Sequence, residues 1–161
     1  MKKITLLFLL IHSVSFSQKK LDELLNKFNK NNVPYISVDS LVTTKAMLLD
    51  AREPAEFKVS HLKNGINIGY DHFNLQKTIE NLPKDKTIKI VVYCSIGIRS
   101  EIIASKLIEE GFTNVYNLYG GIFEWKNNNY SVVDSLNKPT EKIHAYNKEW
   151  SRWLTKGEKT Y

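Results

Sequence analysis

The chain alternates short apolar segments with amphipathic ones, and this alternation limits its fold more than any other feature. Five segments have the composition of strands: residues 35–38, 46–50, 65–68, 87–94 and 114–118. Helical patterns lie between or after them, at residues 53–57, 72–82, 100–111 and 120–128. Strands that are apolar throughout and alternate with helices are typical of a parallel sheet with helices on both faces. The sequence therefore predicts an α/β fold of this kind.

The first 17 residues have the pattern of an export signal. Two lysines precede an apolar run from Ile4 to Ile11, and the small residues Ser15 and Ser17 suit a signal peptidase. We predict cleavage between Ser17 and Gln18, so that the mature protein is exported and is either periplasmic or secreted. An uncleaved anchor is the alternative. Because about 20 apolar residues are needed to span a bilayer, we expect no stable membrane insertion after cleavage.

The rest of the chain divides into three predicted parts. An N-terminal helix and linker occupy residues 18–34, the α/β domain residues 35–135, and an aromatic, basic tail residues 136–161. The tail has apolar residues close to one helical face, namely Ile143, Tyr146, Trp150, Trp153 and Leu154. This spacing predicts a C-terminal helix docked on the domain. Trp beside Lys and Arg also fits a contact of residues 140–157 with a protein partner or a membrane surface.

Charge and composition argue against several kinds of site. The formal net charge is +6 at pH 7, but lysines alternate with acidic residues and form no block of five or more. We therefore predict no nucleic-acid partner. Four histidines, at positions 12, 61, 72 and 144, and a single cysteine provide no zinc spacing, so we expect no metal and no cofactor.

Cys94 is the only cysteine, and it ends the predicted strand 87–94. In an exported protein a structural cysteine usually has a disulfide partner, and this chain offers none. The loop that follows, residues 95–99, is flexible at Gly97 and ends at Arg99. Its backbone N–H groups, the next helix N-terminus and the arginine charge would favour a thiolate. The alternative is a buried, inert cysteine at the end of a strand.

Four separated motifs resemble those of the rhodanese-like sulfurtransferases, over residues 35–131. The matching positions are Asp50, Arg52, Glu56, Phe57, His61, Asn67, Ile68, Cys94, Gly97, Arg99, Gly111, Phe112, Val115, Leu118, Gly120, Gly121 and Trp125. One departure is Lys63-Asn64-Gly65, where the family often has Pro-Gly-Ala. Asn tolerates a left-handed backbone nearly as well as Gly, so we expect this turn to be kept. The resemblance implies a single rhodanese domain, with the extra N- and C-terminal helices outside it.

The resemblance also implies a sulfurtransferase that works through a persulfide on Cys94. The donor would be a small sulfur-containing anion such as thiosulfate, and the acceptor a thiol or cyanide. The residues expected to bind the substrate sulfur are those of the loop: Ser95, Ile96, Gly97, Ile98 and Arg99. Whether Arg99 binds the donor or only shapes the loop is open. We expect Asp50 and Arg52 to form an ion pair beneath the site, and His61 to be a hydrogen-bonded turn residue rather than a catalyst.

Two other functions fit parts of this pattern. A non-catalytic or regulatory rhodanese module would bind a partner or carry sulfur without turnover. A cysteine-dependent phosphatase or arsenate reductase is disfavoured, because those enzymes resemble Cys-x5-Arg and this chain has Cys-x4-Arg from Cys94 to Arg99. The smaller ring suits a sulfur atom better than a phosphate.

Overall fold

The computed structural model describes residues 19–161. The predicted export signal and its cleavage position lie outside the described residues. The chain divides between Asn31 and Asn32 into two compact units. In the first unit, residues 19–28 form helix α1, as their apolar spacing predicts. The second unit, Asn32–Tyr161, contains the sheet and the candidate site.

A five-stranded sheet forms the centre of the second unit. Its strands are β1 (Tyr35–Ile36), β2 (Met47–Asp50), β3 (Ile66–Asn67), β4 (Ile90–Tyr93) and β5 (Val115–Leu118). Their spatial order is β1-β5-β4-β2-β3, and every pair is parallel. In the register of the central strands, Val92 lies between Leu49 and Asn117. Each strand falls within a predicted segment, so the predicted parallel sheet is confirmed.

Five helices follow the strands: α2 (Val38–Val42), α3 (Pro54–Val59), α4 (Leu75–Asn81), α5 (Arg99–Glu109) and α6 (Gly121–Asn127). The sequence patterns predicted all of them except α2. The chain crosses the sheet in one direction from β1 to β3 and in the other from β3 to β5. Because crossovers between parallel strands are right-handed, α2 and α3 cover one face and α4 and α5 the other. No helix within residues 19–161 is long and apolar enough to cross a bilayer.

Strand β4 lies in the middle of the sheet, and all four of its residues are fully buried. Helix α5 packs on it with Ile103, Ala104 and Leu107, which are spaced three and four residues apart and therefore share one helix face. Burial of large aliphatic side chains such as Ile103 and Leu107 contributes about 1.5–3 kcal/mol each. The carboxyl end of β4, which is followed directly by Cys94, is thus held at the centre of the domain.

The predicted C-terminal helix is wrong. The segment contains short strands β6 (Val132–Val133), β7 (Pro139–Thr140), β8 (Lys142–His144) and β9 (Glu158–Thr160), and a single 3₁₀ turn, Trp150–Trp153. β6 pairs antiparallel with β7, and β8 pairs parallel with β9. Ile143 and Ala145 are buried, whereas Lys142 is exposed and His144 is half-buried. This period of two belongs to a strand, and the wider helical spacing of the aromatic residues concealed it.

The turn at the departure from the family pattern is kept, as predicted. Asn64 has φ 65°, in the left-handed region, and the Gly65 N–H donates to the Leu62 carbonyl at 2.8 Å. Gly65 has no room for a side chain, since a Cβ there would lie 2.6 Å from the Tyr93 hydroxyl.

Candidate active site

The Cys94 loop connects the carboxyl end of β4 to the first turn of α5. Gly97 has φ 104°, a conformation that favours glycine, and its N–H turns back and donates to Cys94 Sγ at 3.1 Å. The Ser100 hydroxyl lies 3.5 Å from the same sulfur. Cys94 is buried, with 1% of its surface exposed, but polar groups converge on it. This arrangement differs from that of an inert core cysteine, which would be surrounded by apolar groups.

Helix α6 holds the loop from the opposite side. The Ile122 N–H donates to the Cys94 carbonyl at 2.9 Å, and the Phe123 N–H donates to the Ser95 carbonyl at 3.1 Å. This close approach requires a glycine at Gly121, because a Cβ there would lie 2.7 Å from the Ser95 carbonyl carbon. The α6 N-terminus therefore fixes the main chain on which the thiol is carried.

Arg99 forms a two-point ion pair with Glu56 of α3. Its Nη1 donates to Glu56 Oε2 at 2.6 Å and its Nη2 to Glu56 Oε1 at 2.8 Å. Nη2 also donates to the Ser95 hydroxyl at 3.0 Å. Both side chains are mostly buried, with 16% of Arg99 and 4% of Glu56 exposed. These contacts show that Arg99 shapes the loop. Whether it also binds a donor is the other part of the question that the sequence left open.

Glu56 is held in turn by the start of its own helix. It is the third residue of α3, and its carboxylate accepts from the Glu53 N–H at 3.0 Å in a capping box, with Pro54 at the first helical position. The Arg99 guanidinium outweighs burial and holds the pKa of Glu56 below its usual value. Sequence reasoning matched Glu56 to a motif but assigned it no role. The spacing Glu53-x-x-Glu56 is a capping signal that could have located its carboxylate.

The pKa of the Cys94 thiol is lowered by its surroundings. Burial alone would raise it, because a thiolate is poorly solvated in the interior. The positive charge of Arg99 and the hydrogen bonds from Ser100 and the Gly97 N–H act in the opposite direction and outweigh burial. The site therefore favours the nucleophilic thiolate.

A second polar network, which the sequence did not reveal, supports the loop from β5. Asn117 is fully buried; its Nδ2 donates to the Gly97 carbonyl at 2.8 Å. The Ser100 hydroxyl oxygen lies 2.7 Å from Asn117 Oδ1 as well as 3.5 Å from the sulfur, and it donates its single proton to one of these two acceptors at a time. A buried amide that joins the loop to the next helix orients both groups that approach the sulfur. An asparagine within an apolar strand, "NVYNL", was the available signal.

The supporting residues predicted from the sequence lie outside the pocket over Cys94. Asp50 and Arg52 are fully buried and form the expected ion pair, with Arg52 Nη2 2.6 Å from Asp50 Oδ2. Arg52 also donates to the Ser60 carbonyl at 2.7 Å. His61 stacks on Phe57 with ring centroids 3.8 Å apart, and its Nδ1 is 3.1 Å from the Phe57 carbonyl oxygen. The structure thus places these residues in the framework that carries α3.

A cavity of about 120 Å³ lies over the thiol. Its walls are formed by Cys94, Ser95, Ile96, Ile98 and Arg99 from the loop, and by Tyr146 and Trp150 from the tail. Sequence reasoning placed the two aromatic residues on one face of a C-terminal helix docked on the domain and gave them no part in the site, so their position over the thiol is a correction. Within residues 19–161 there is no group of three or more His, Cys, Asp or Glu side chains that could hold a metal ion.

A parallel α/β sheet with a cysteine loop at the carboxyl end of its central strand defines the class of fold, and sequence comparison identifies the family. The chain belongs to the rhodanese-like domain family, because the sequence model of that family matches residues 20–128. The matched region contains the loop, the Glu56–Arg99 pair and Asn117. It ends before Tyr146 and Trp150.

Comparison with individual proteins agrees with this family. A tRNA uridine(34) hydroxylase of Hamiltonella defensa is 40% identical over 82 residues, which are 50% of this chain and 23% of that protein. The chain thus matches about a quarter of the length of this curated relative.

Solved structures show the same fold. A rhodanese-related protein from Thermoplasma volcanium is 29% identical with a TM-score of 0.53, over 62% of this chain and 97% of that one. A thiosulfate sulfurtransferase from Pseudomonas aeruginosa has a TM-score of 0.59 at 17% identity, over 86% of this chain and 26% of that one, and this likeness concerns the fold alone.

Proposed function

We propose that the protein is a sulfurtransferase that moves a sulfane sulfur from thiosulfate or a similar donor to a thiol or cyanide through a persulfide on Cys94. The observation that carries the proposal is the Gly97 N–H donating to Sγ at 3.1 Å beneath a cavity. An amide aimed at the sulfur stabilises the negative charge of the thiolate that begins the transfer and is regenerated at its end.

The proposed reaction has two balanced steps. The Cys94 thiolate attacks the outer sulfur of thiosulfate, a new S–S bond forms, and the old S–S bond breaks with its electron pair leaving on sulfite. The acceptor then attacks the outer sulfur of the Cys94 persulfide, and the electron pair of that S–S bond returns to the thiolate. A covalent intermediate of this kind divides one difficult transfer into two easier ones. No proton is required if Cys94 is already ionised.

The activity in the name of the curated relatives, hydroxylation of a tRNA uridine, is not part of this proposal. Their identity to this chain covers 82 residues in the case quoted, 23% of that protein. We also propose export to the periplasm or the medium, on the strength of the apolar run and small residues within positions 1–17.

Incubation of the purified protein with thiosulfate, followed by intact-mass and peptide mass spectrometry, tests the transfer. We expect one added sulfur atom on the peptide that contains Cys94, its removal by cyanide, and no addition to Cys94→Ser. This variant replaces the sulfur by an oxygen and keeps the shape of the side chain, and its circular dichroism confirms folding.

Two results would contradict the proposal in different ways. Addition of sulfur to Cys94→Ser would show that the site is elsewhere. A folded wild-type protein that gains no sulfur would instead support the non-catalytic rhodanese module, in which the domain binds a partner without turnover.

A further inference from the structure

Two aromatic residues beyond the family match form one wall of the Cys94 cavity. Tyr146 and Trp150 line it together with the loop residues Ile96 and Ile98. Four largely apolar side chains therefore surround the approach to the thiol. A wholly inorganic anion has no apolar surface that could pack against these side chains.

The aromatic wall is fixed to the domain rather than loosely attached. Two residues that flank the aromatic wall in the chain are buried: Ile143 is 0% exposed and Leu154 is 1% exposed. Asn127 of α6 donates to the Trp153 carbonyl at 2.9 Å and accepts from the Thr155 N–H at 2.8 Å. These contacts position the wall before any substrate arrives, which lowers the cost of ordering it on binding.

Tyr146 has a backbone conformation that is unusual for a bulky residue. Its φ is 65°, in the left-handed region, and its N–H donates to His144 Nδ1 at 3.2 Å. Its ring lies over the Arg99 guanidinium, 5.0 Å from Cζ to the ring centroid. Strained residues persist where the surroundings hold them, often at functional sites. Here the residue with this conformation lines the cavity.

The charge at the cavity does not favour a dianion. Among the described residues that line it, Arg99 is the one cation, and its charge is paired with Glu56 at 2.6 and 2.8 Å. When Cys94 is ionised, these three groups carry a net charge of −1. Like charges repel, so a doubly charged donor is disfavoured relative to a singly charged one.

From these observations we propose that Tyr146 and Trp150 make the site selective for sulfur donors that carry a small apolar organic group and a single negative charge, in preference to thiosulfate. This inference rests on the proposed sulfurtransferase function and names its substrate class. The cavity of about 120 Å³ is close in size to an engineered apolar cavity of about 150 Å³ that holds benzene.

Organic thiosulfonates are suitable probes of this class. The Cys94 thiolate attacks the terminal sulfur, the new S–S bond of the persulfide forms, and the donor S–S bond breaks with its electron pair leaving on an organic sulfinate. Benzenethiosulfonate and methanethiosulfonate have the same reacting group and the same charge, and differ in the apolar group alone. Once each rate is divided by the rate with free cysteine, any remaining difference between the two thiosulfonates measures the contact of the apolar group with the walls of the cavity.

The experiment measures kcat/KM for persulfide formation with both thiosulfonates and with thiosulfate, each divided by the rate with free cysteine. For the wild-type protein we expect benzenethiosulfonate to exceed methanethiosulfonate by about tenfold, as removal of roughly half a phenyl ring from water implies. Thiosulfate should be the poorest of the three. In Tyr146→Ala and Trp150→Ala the benzene-to-methane ratio should fall several-fold.

Matched variants separate the wall from general effects on folding. Tyr146→Phe keeps the ring and should keep the ratio. Tyr161→Ala removes another tail tyrosine, 64% exposed and not part of the cavity, and should change nothing.

The outcomes distinguish this inference from the function on which it rests. Equal normalised rates for the two thiosulfonates in the wild-type protein, which need no variant to fold, would overturn the donor selectivity while sulfur transfer stands. A tenfold ratio that survives in both alanine variants would overturn the role of Tyr146 and Trp150. If none of the donors loads Cys94, both the function and the selectivity are wrong.

Discussion

At the scale of single residues, Cys94 combines burial with an environment that stabilises its ionised form. The thiol has 1% exposure, yet the Gly97 N–H donates to it and Arg99 contributes a positive charge held by Glu56. Each of these groups is itself fixed, Gly97 through Asn117 and Arg99 through the α3 capping box. A nucleophile positioned in this way needs no separate general base.

Alkylation of Cys94 by iodoacetamide should therefore persist at pH values below the usual thiol range. Because the folded pKa is lowered from the ordinary thiol value by Arg99, Ser100 and the Gly97 N–H, the thiolate remains as pH falls through that ordinary value and is lost only at the lower folded pKa. Removing the charge with Arg99→Gln should move the inflection of the rate–pH profile upward.

Arg152→Gln is the matched control for this pH profile. It removes the same charge from an exposed side chain that lies on the Trp153 ring, outside the hydrogen bonds to sulfur. Its profile should match that of the wild type. A wild-type inflection at or above about 8.5 would contradict the lowered pKa, and an unchanged inflection in folded Arg99→Gln would mean that Arg99 does not stabilise the thiolate.

At the scale of secondary-structure elements, the contact between the N-terminus of α6 and the Cys94 loop decides the shape of the site. Two N–H groups of α6 bind loop carbonyls, and the absence of a side chain at Gly121 allows them to reach. Gly121 also has φ 57°, which favours glycine independently of space. The two requirements can be separated by comparison with Gly69, which has φ 71° and where an added Cβ would have no neighbouring atom within 4 Å.

Gly121→Ala should destabilise the protein more than Gly69→Ala. Both introduce left-handed strain of about 1–2 kcal/mol, but in Gly121→Ala the Cβ also meets the main chain of Ser95 at 2.7 Å. We expect a further loss of about 1–3 kcal/mol, typical of overpacking, in the free energy of unfolding by urea. Sulfur loading should fall in Gly121→Ala alone. Equal destabilisation of both variants would show that the close contact with the loop is relieved at little cost.

In the tail, residues 136–161, the apolar spacing that predicted a helix belongs to a strand and turns. Ile143 and Leu154 enter the core and Tyr146 and Trp150 reach the cavity, the same residues whose spacing predicted a helix. Their spacing of three or four residues is also compatible with a strand, a left-handed turn at Tyr146 and a 3₁₀ turn. Apolar residues at a period of 3.6 indicate a helix only where no other segment forms strand hydrogen bonds with the backbone. Here β9 pairs with β8, so the segment is a strand.

At the scale of the whole molecule, charge is arranged differently in the cavity and along the chain. The formal net charge is +6, but the cation beside Cys94 is paired. A long-range positive field can attract anions to the protein, whereas the last few ångströms are governed by the paired charges and the apolar walls. In the proposed sulfur transfer, attraction of the donor and selection of the donor are thus separate properties.

Export is a testable property of the whole chain. If residues 1–17 act as a signal, mass spectrometry of the protein isolated from cells should find an N-terminal peptide that begins at Gln18. Replacing Leu7 by Arg places a charge within the apolar run and should prevent processing. A mature protein that retains Met1 in the wild-type chain would contradict cleavage after Ser17 and favour the uncleaved anchor.

Much of this protein could be derived from its sequence. The apolar strands, the intervening helices, the Cys94 loop and the Asn64 turn depend on residues within a few positions of one another, so short-range patterns identify them. The tertiary structure alone decided the rest: the Glu56–Arg99 pair, the Asn117 network, and the pairing of β8 with β9 that brings Tyr146 and Trp150 to the thiol. These features join residues far apart in the chain, and the energy of such contacts depends on which surfaces folding brings together, which local spacing does not encode.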